Sequence, residues 1–547
     1  MPIFSIRTAA IGLSLLMLSY FFAGYGLAAQ LTVNTLDDIV ATDGQCALRE
    51  AVEAANTDAD FSDCAGTGAY GTDEILFSVA GVIGISPQLD ITDSLSISGG
   101  SQIELTGNDQ NRILDASGEG LELILSGLEL RNGFDQASTG GGCIRLFGAG
   151  VLLEINDSTL RFCRVINTGV SGSLGGAIVL GRSPAVEPRS SSDGVTGGPG
   201  TSRLIIARTA FLNNQAESDL NSAAGGAIFA GPDPMEIRIE DSRFLANFAQ
   251  SFNPSDQFAV TGGGIWVANG TSVFINRTEW SFNGAISTGG NSSGGGVFIG
   301  ALTGPGLIQN STFSENQTFS AGTGAETRGG AIFAVIDEPQ ILSLNNNTIV
   351  RNRARFNGAL AFSGGIELNG AGNLANTILA NNVTVNLSDP DNPVPSDCLP
   401  DSLLQSLGYN LIKTNCGLAP VTGDQFGVDP LLDDLADNGG AIEGMLSHLP
   451  LPGSPVIDSA NPDPVQPFQP VGDARVCQPV DQRVLLRPFD SGGGAVCDIG
   501  AIELQGRPIG PAVAVPGLNR WGTLLLAMLL FLALIQRAKT NSIRLRF

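Results

Sequence analysis

The chain is short of charge, of histidine and of basic residues, and each shortage closes off a class of function. Charged residues fill 15% of its 547 positions, against about 25% in an ordinary soluble domain. There is one histidine, His448. A nucleophile–base–acid triad needs a base, usually histidine, and His448 stands in a Ser-His-Leu-Pro context without a Gly-x-Ser-x-Gly turn. A structural, hydrogen-bonded role is expected for it. The net charge of −25 argues against a nucleic-acid partner, because phosphate binding needs basic patches. No Cys-x-x-Cys is present, so zinc lacks a ligand set. No Walker loop or dinucleotide fingerprint is present either, and no cofactor is implied. The 72 glycines have no three-residue period, which excludes collagen.

What the chain does have is repetition. Gly-Gly-Ala-Ile stands at 175–178, 225–228 and 329–332, Gly-Gly-Gly-Ile at 262–265, and Gly-Gly-Gly-Val at 294–297. Ser-Gly-Gly-Ile at 363–366 and a weaker Gly-Gly-Cys-Ile at 141–144 extend the series. The closing apolar residues are separated by 34, 50, 37, 32, 35 and 34 positions, a period that means stacked units. The step of 50 contains a Ser-, Pro- and Gly-rich insertion, Arg182 to Thr201, which reads as a surface loop. A second mark follows each Gly-Gly except the weak first copy: Phe211-Leu-Asn-Asn214, Phe244-Leu-Ala-Asn247, Trp280-Ser-Phe-Asn283, Phe313-Ser-Glu-Asn316, Ile349-Val-Arg-Asn352 and Ile378-Leu-Ala-Asn381.

Between the marks lie short β-branched and aliphatic runs, such as Ile85 to Ile91, Leu121 to Leu130 and Ile237 to Ile239. These are strand signals, and helical periodicity is absent between them. The expected fold is all-β: a right-handed, single-stranded parallel β-helix, a solenoid of the pectate-lyase type, over residues 74–385. Asparagines at equivalent corners are expected to hydrogen-bond along the axis as a ladder. A β-propeller is the rival, but no repeat shows four strands. The two marks resemble the GGA(I/L/V) and FxxN repeats of chlamydial polymorphic outer-membrane proteins and related bacterial β-helices.

The N-terminus carries Arg7, an apolar run from Ile11 to Phe22 and small residues up to Ala29, the pattern of a secretory signal over 1–29. Residues 30–73 read as a cap. Leu48, Ala51, Val52 and Ala55 share one helical face, and an amphipathic helix there would cover the solenoid's open end. Cys46-Ala-Leu-Arg-Glu-Ala51 resembles the CSLREA motif at the start of exported bacterial β-helix proteins, with Ala47 in place of the motif's serine.

Eight cysteines fall as Cys46/Cys64, Cys143/Cys163, Cys398/Cys416 and Cys477/Cys497. An even count in an exported chain reads as disulfides. Sequence alone leaves 105 pairings; pairing of neighbours is the expectation.

Repeats cease near 386 and proline rises. Asp429-Pro430, Ser447-His448, Asp481-Gln-Arg483, Arg487-Pro488 and Cys497-Asp-Ile-Gly-Ala-Ile-Glu503 follow in order. The run resembles the choice-of-anchor Q region of exported bacterial β-helices, and 386–506 is expected to form the last coils and a C-terminal cap. A Pro-rich linker, 507–516, leads to the tail, 517–547. There Pro516, Leu518, Trp521 and Gly522 precede an apolar run, Thr523 to Ile535, and a basic end. This resembles IPTLxxWG-type sorting tails, which implies a transmembrane segment and an exosortase-type membrane protease as partner.

Two candidate sites remain. Glu236, Arg238 and Glu240 alternate with Ile237 and Ile239 and so face outward from one strand; clustered carboxylates of this kind serve polysaccharide lyases and hydrolases. Asp58, Asp60 and Asp63 offer oxygen ligands for Ca²⁺, although the spacing lacks the glycine and terminal glutamate of the twelve-residue calcium loop. The functional expectation is an exported cell-surface β-helix without catalysis, adhesin-like or structural, binding glycans, matrix or cells in the periplasm, on the outer surface or outside the cell. The alternative is a polysaccharide lyase or glycoside hydrolase on the same scaffold.

Overall fold

A computed structural model describes residues 28–505 except 137–139, 170–171, 182–199, 256, 358–359, 401–402, 464–474 and 490–495. Most of the insertion at 182–201, the signal segment up to 27, the linker and the sorting tail with Pro516, Leu518, Trp521 and Gly522 therefore lie outside the described residues.

The chain forms a parallel β-solenoid of about eight turns, with one short helix among the described residues. Each central coil contributes the same strands in the same order. Row I follows Gly-Gly (Ile178–Gly181, Ile228–Ala230, Ile265–Val267, Val297–Leu302, Ile332–Ile336, Ile366–Asn369). Row II follows it (Ser202–Ala207, Met235–Glu240, Gly270–Asn276, Gly306–Gln309, Leu342–Asn345, Gly372–Ala375). Row III carries the Phe mark (Ala210–Leu212, Arg243–Leu245, Glu279–Ser281, Thr312–Ser314, Thr348–Val350, Ile378–Ala380, Leu411–Ile412). Two further sheets, of nine and six short strands, complete the coil.

The register shows why the period is visible in sequence. Ile178, Ile228, Ile265, Val297, Ile332 and Ile366 pair one above another. So do Phe211, Phe244, Trp280, Phe313, Ile349 and Leu379. A fixed side-chain set on each coil buries one continuous core only if every coil repeats it. The rings of Phe211 and Phe244 stack at 4.6 Å between centroids, and those of Phe244 and Trp280 at 3.9 Å.

The two glycines serve different ends. The first takes a left-handed conformation, with φ of +66° at Gly225 and +63° at Gly294, open to glycine at little steric cost. The second has no space: a Cβ on Gly226 would collide with the carbonyl oxygen of Gly263 in the next coil.

The helix α1, Leu48–Asn56, covers the first coil as expected, burying Leu48, Ala51, Val52 and Ala55. Ala47 leaves half a capping box: Glu50 Oε2 accepts the Ala47 N–H at 3.0 Å, and the methyl group returns no hydrogen bond. The run Ile85 to Ile91 is not one strand. Only Leu89–Ile91 is a strand; Ile85 follows the strand Gly81–Gly84, and the two strands are separated at Ser86-Pro87, since proline cannot donate to a ladder.

All eight cysteines are bonded, Cys46–Cys64, Cys143–Cys163, Cys398–Cys416 and Cys477–Cys497, with Cα separations of 4.7, 5.4, 5.5 and 6.6 Å.

The C-terminal region departs from its expected form. Coils continue only to Gln425–Phe426. From Asp429 the chain turns back and lies along the side of the solenoid on row III, instead of capping its end: Glu443 reaches Arg243, Leu446 reaches Glu279, and Ala501 reaches Thr348. A separate apolar core forms beneath this arm, in which Val350, Ile378, Ala380 and Leu411 meet Val456, Ala460, Cys477, Cys497 and Ile499.

Candidate functional site: two polar ladders and the seam under the arm

The asparagine ladder is present and fully enclosed. Asn214, Asn247, Asn283, Asn316, Asn352 and Asn382 are each 0% exposed. Every Oδ1 from Asn247 onward accepts two bonds from the preceding rung, from its backbone N–H and from its Nδ2, as Asn316 does from Asn283 at 3.1 and 2.9 Å. Each Nδ2 also donates to a carbonyl of the preceding coil, Asn316 to Trp280 at 2.8 Å. All four bonding positions of the amide are thereby filled, which a dry interior demands. The last rung is Asn382, not Asn381. Leu379 pairs with Ile349, so the mark in this coil is one residue later than the sequence pattern suggests, and Asn381 takes the left-handed turn position at φ +60°. The file begins at the Cys163 N–H, which donates to Asn214 Oδ1. It ends on Asp397, whose Oδ1 accepts from Asn382 and whose Oδ2 accepts the Thr414 N–H. Burial pushes the Asp397 carboxyl above its ordinary range.

A second ladder stands two residues before the core residue of each Phe mark, where sequence reasoning saw nothing. Ser158 N–H donates to Thr209, Thr209 N–H to Ser242, Thr278 N–H to Ser311, Ser311 N–H to Asn347, Asn347 N–H to Thr377 and Thr377 N–H to Asn410. It too ends on a carboxylate, Asp424, which accepts the Asn410 N–H. Each of these residues follows a left-handed one: Asp157, Arg208, Asp241, Arg277, Asn310, Asn346, Asn376 and Tyr409. The recurrent Ser, Thr or Asn at that place was the available signal.

The ionisable groups enclosed against row III sit in the seam under the arm. Glu279 is 0% exposed. Its Oε2 accepts the Leu446 N–H at 2.7 Å and faces Arg243 Nε at 3.2 Å, while its Oε1 accepts from Ser281. Burial raises this carboxyl to about 7, against the pull of Arg243. His448 is 1% exposed. Its Nδ1 lies 2.8 Å from the Asp433 carbonyl and so carries the proton, leaving Nε2 to accept from Ser314 Oγ at 2.9 Å. Burial lowers the imidazole to about 4. A serine and a histidine thus meet, but both are enclosed, and the ring is oriented by a backbone carbonyl.

The ordered C-terminal motifs form one network. Asp481 accepts from the Arg483 side chain and the Glu503 N–H. Glu503 accepts the Asp498 and Phe489 N–H groups, and Arg487 donates to the carbonyls of Asp498 and Gly500. Burial, then the neighbouring Glu503, raises Asp498 to about 7. Gln482 Oε1 accepts from Thr312, and the Ala501 N–H donates to Thr348, fastening the network to the solenoid.

The two candidates from sequence fare differently. Glu236, Arg238 and Glu240 do share the outer face of Met235–Glu240, but they are committed to ion pairs: Arg238 with Glu240, Glu236 with Arg203, and Glu240 with Arg277. Asp58, Asp60 and Asp63 are not gathered around one point. Asp60 accepts the Tyr70 hydroxyl at 2.7 Å and the Gly66 N–H, bonds that lower its pKa. Asp63 accepts the N–H groups of Asp43 and Gly44. The oxygens of Asp60 and Asp63 face donors, and among the described residues no group of three or more His, Cys, Asp or Glu is arranged to hold a metal ion. Among the described residues, too, no helix is long and apolar enough to cross a membrane. No family model, curated protein or solved structure matches the chain.

Proposed function

We propose that the chain is an exported surface protein whose solenoid side binds glycans, matrix or other cells without chemical turnover. The observation that carries this reading is the combination of a long parallel solenoid with four disulfides spread from Cys46–Cys64 to Cys477–Cys497. Disulfides persist in oxidising compartments, and a solenoid presents extended repeated surfaces to large ligands. The CSLREA-like cap, the Gly-Gly and Phe-x-x-Asn marks, the choice-of-anchor-like C-terminal motifs and the IPTLxxWG-like tail add to it by resemblance. On this reading the tail is handled by an exosortase-type protease. Fold by itself does not assign function.

The test is incubation of the full exported chain with a panel of polysaccharides. Retention without new reducing ends or unsaturated products is the expected result. Release of such products overturns the reading in favour of a lyase or hydrolase. Fractionation of cells expressing the chain with and without 517–547 tests the sorting step; equal release to the medium would reject it.

A further inference from the structure

We propose, resting on the exported reading above, that a signal peptidase cuts the chain between Ala28 and Ala29, and that the α-ammonium group so created pairs with the buried Asp73 carboxylate and pins the first strand to the solenoid.

Asp73 is a buried acid without a counter-charge. It is 1% exposed and shares the buried side of the strand Ala69–Phe77 with Ile75. Its Oδ1 accepts the Gly71 N–H at 3.1 Å. Its Oδ2 is enclosed and has no hydrogen-bond partner. Burial holds this carboxyl above its ordinary range, and the charged groups that add to the effect, Asp58 and Asp93, are both acidic. The nearby Tyr70 gives its hydroxyl to Asp60 instead. A carboxylate in such a place is costly unless a positive charge reaches it.

The backbone nitrogen of Ala29 is where that charge can arise. Its N–H acts on the Asp73 carboxyl, drawing the pKa down, yet leaves Oδ2 without a partner. Ala29 is 0% exposed. Gly66 closes over it: a Cβ there would stand 3.1 Å from the Ala29 Cβ and 2.8 Å from the Tyr70 ring. An amide offers one hydrogen and no net charge, whereas an ammonium offers three hydrogens and a full charge. Gly26 and Ala28 put small residues at the third and first places before this bond, the pattern of a signal cleavage site. A cut one residue later would begin the chain at Gln30, whose N–H already donates to the Thr67 carbonyl at 3.0 Å.

The step is a hydrolysis of the Ala28–Ala29 peptide bond. The water oxygen stays on the Ala28 carbonyl carbon, leaving a carboxylate on the released leader. The electron pair of the broken C–N bond goes to the Ala29 nitrogen, which takes both water protons and becomes an ammonium. Cutting precedes folding, because the first coil encloses Ala29. Only the Ala28–Ala69 pairing is lost; Gln30 to Val33 keep their register with Glu74 to Phe77.

Lysine is scarce, with Lys413 and Lys539 the only two, so amine acylation reads the new terminus nearly alone. The full chain exported from a secreting host should begin at Ala29 by mass spectrometry of its N-terminal peptide. The pH–rate profile of acylation should then place the Ala29 amine at least one pH unit above the same amine in the unfolded protein, whose ordinary value is about 8. Enclosure alone would move it down, and only an anion moves an enclosed ammonium up. Asp73→Asn should abolish the rise; if that variant does not fold, the direction in the unaltered protein decides. A leader retained on the exported chain rejects the export reading and the pair together. A chain beginning at Gln30, an Ala29 amine not raised, or a rise that Asp73→Asn leaves unchanged overturns the pair alone.

Discussion

Asn382 Nδ2 donates to Oδ1 of Asp397 at 2.8 Å, so a file of six buried amides ends on a carboxylate. The direction of the file explains the change of residue. Between rungs, each backbone N–H and one Nδ2 hydrogen point toward the C-terminal end, and at the last rung a second acceptor, Asp397 Oδ2, is needed for the Thr414 N–H. An amide nitrogen in that place would turn a donor toward a donor.

Interrupting the file mid-way should be costly. Asn283→Ala leaves the Asn247 N–H and Nδ2 without their shared acceptor in a dry interior. Buried groups orphaned in this way cost about 1–3 kcal/mol each. Denaturant unfolding should show a loss of at least ~2 kcal/mol, whereas alanine at the exposed Asn392 should change little.

The coil that begins Gly262-Gly-Gly264 carries Trp280, and the two features depend on each other. A Cβ on Gly264 would stand 2.9 Å from the indole Cζ3 and 2.7 Å from the Gly296 carbonyl oxygen. Gly264→Ala is expected to cost about 1–3 kcal/mol by overpacking. Trp280→Phe should recover part of that loss, because the coil carrying Phe244 already has Ala227 at the equivalent place. A double-mutant cycle with coupling below about 0.5 kcal/mol would disprove the dependence.

With one histidine in the chain, proton NMR reads the seam without assignment. The His448 imidazole should remain neutral through pH 6.5 and titrate near 4. Because the unfolded chain takes up this proton first, stability should fall as pH drops from 6.5 toward 4, by up to ~3 kcal/mol from this group. A titration midpoint near 6.5 in the folded protein would contradict its enclosure by Ser314 and Asp433.

Cys143–Cys163 ties the Gly-Gly corner of one coil to the first rung of the asparagine file, since the Cys163 N–H donates to Asn214. Replacing both cysteines by alanine removes a 20-residue separation closed in the folded and unfolded chains alike, and about 3 kcal/mol of stability should be lost with it. Thiol titration of the untreated, unfolded protein should find no free cysteine.

The repeating part of the fold was readable because a solenoid asks the same of every coil. The glycines at 225–226 and 262–263, the Phe at 211 and 244 and the Asn at 214 and 247 recur since each meets its own counterpart one coil away. The slip at Asn381 shows the limit. Ile378-Leu-Ala-Asn381 fits the pattern as well as Leu379-Ala-Asn-Asn382 does, and only the pairing with Ile349 chooses between them.

What the sequence alone determined was the coil: its period, its buried positions, its corners and the helix that closes its first end. What only the tertiary structure decided was the seam. The strands Thr159–Arg161 and Ile378–Ala380 belong to the same row, yet the first alternates polar and apolar residues and the second does not. That loss of alternation is the mark of a strand buried on both faces. It records that something covers row III, and not what, because the covering arm is brought there by contacts between residues as far apart as Arg243 and Glu443. Local pattern encodes which face must be hidden; only the folded chain shows what hides it.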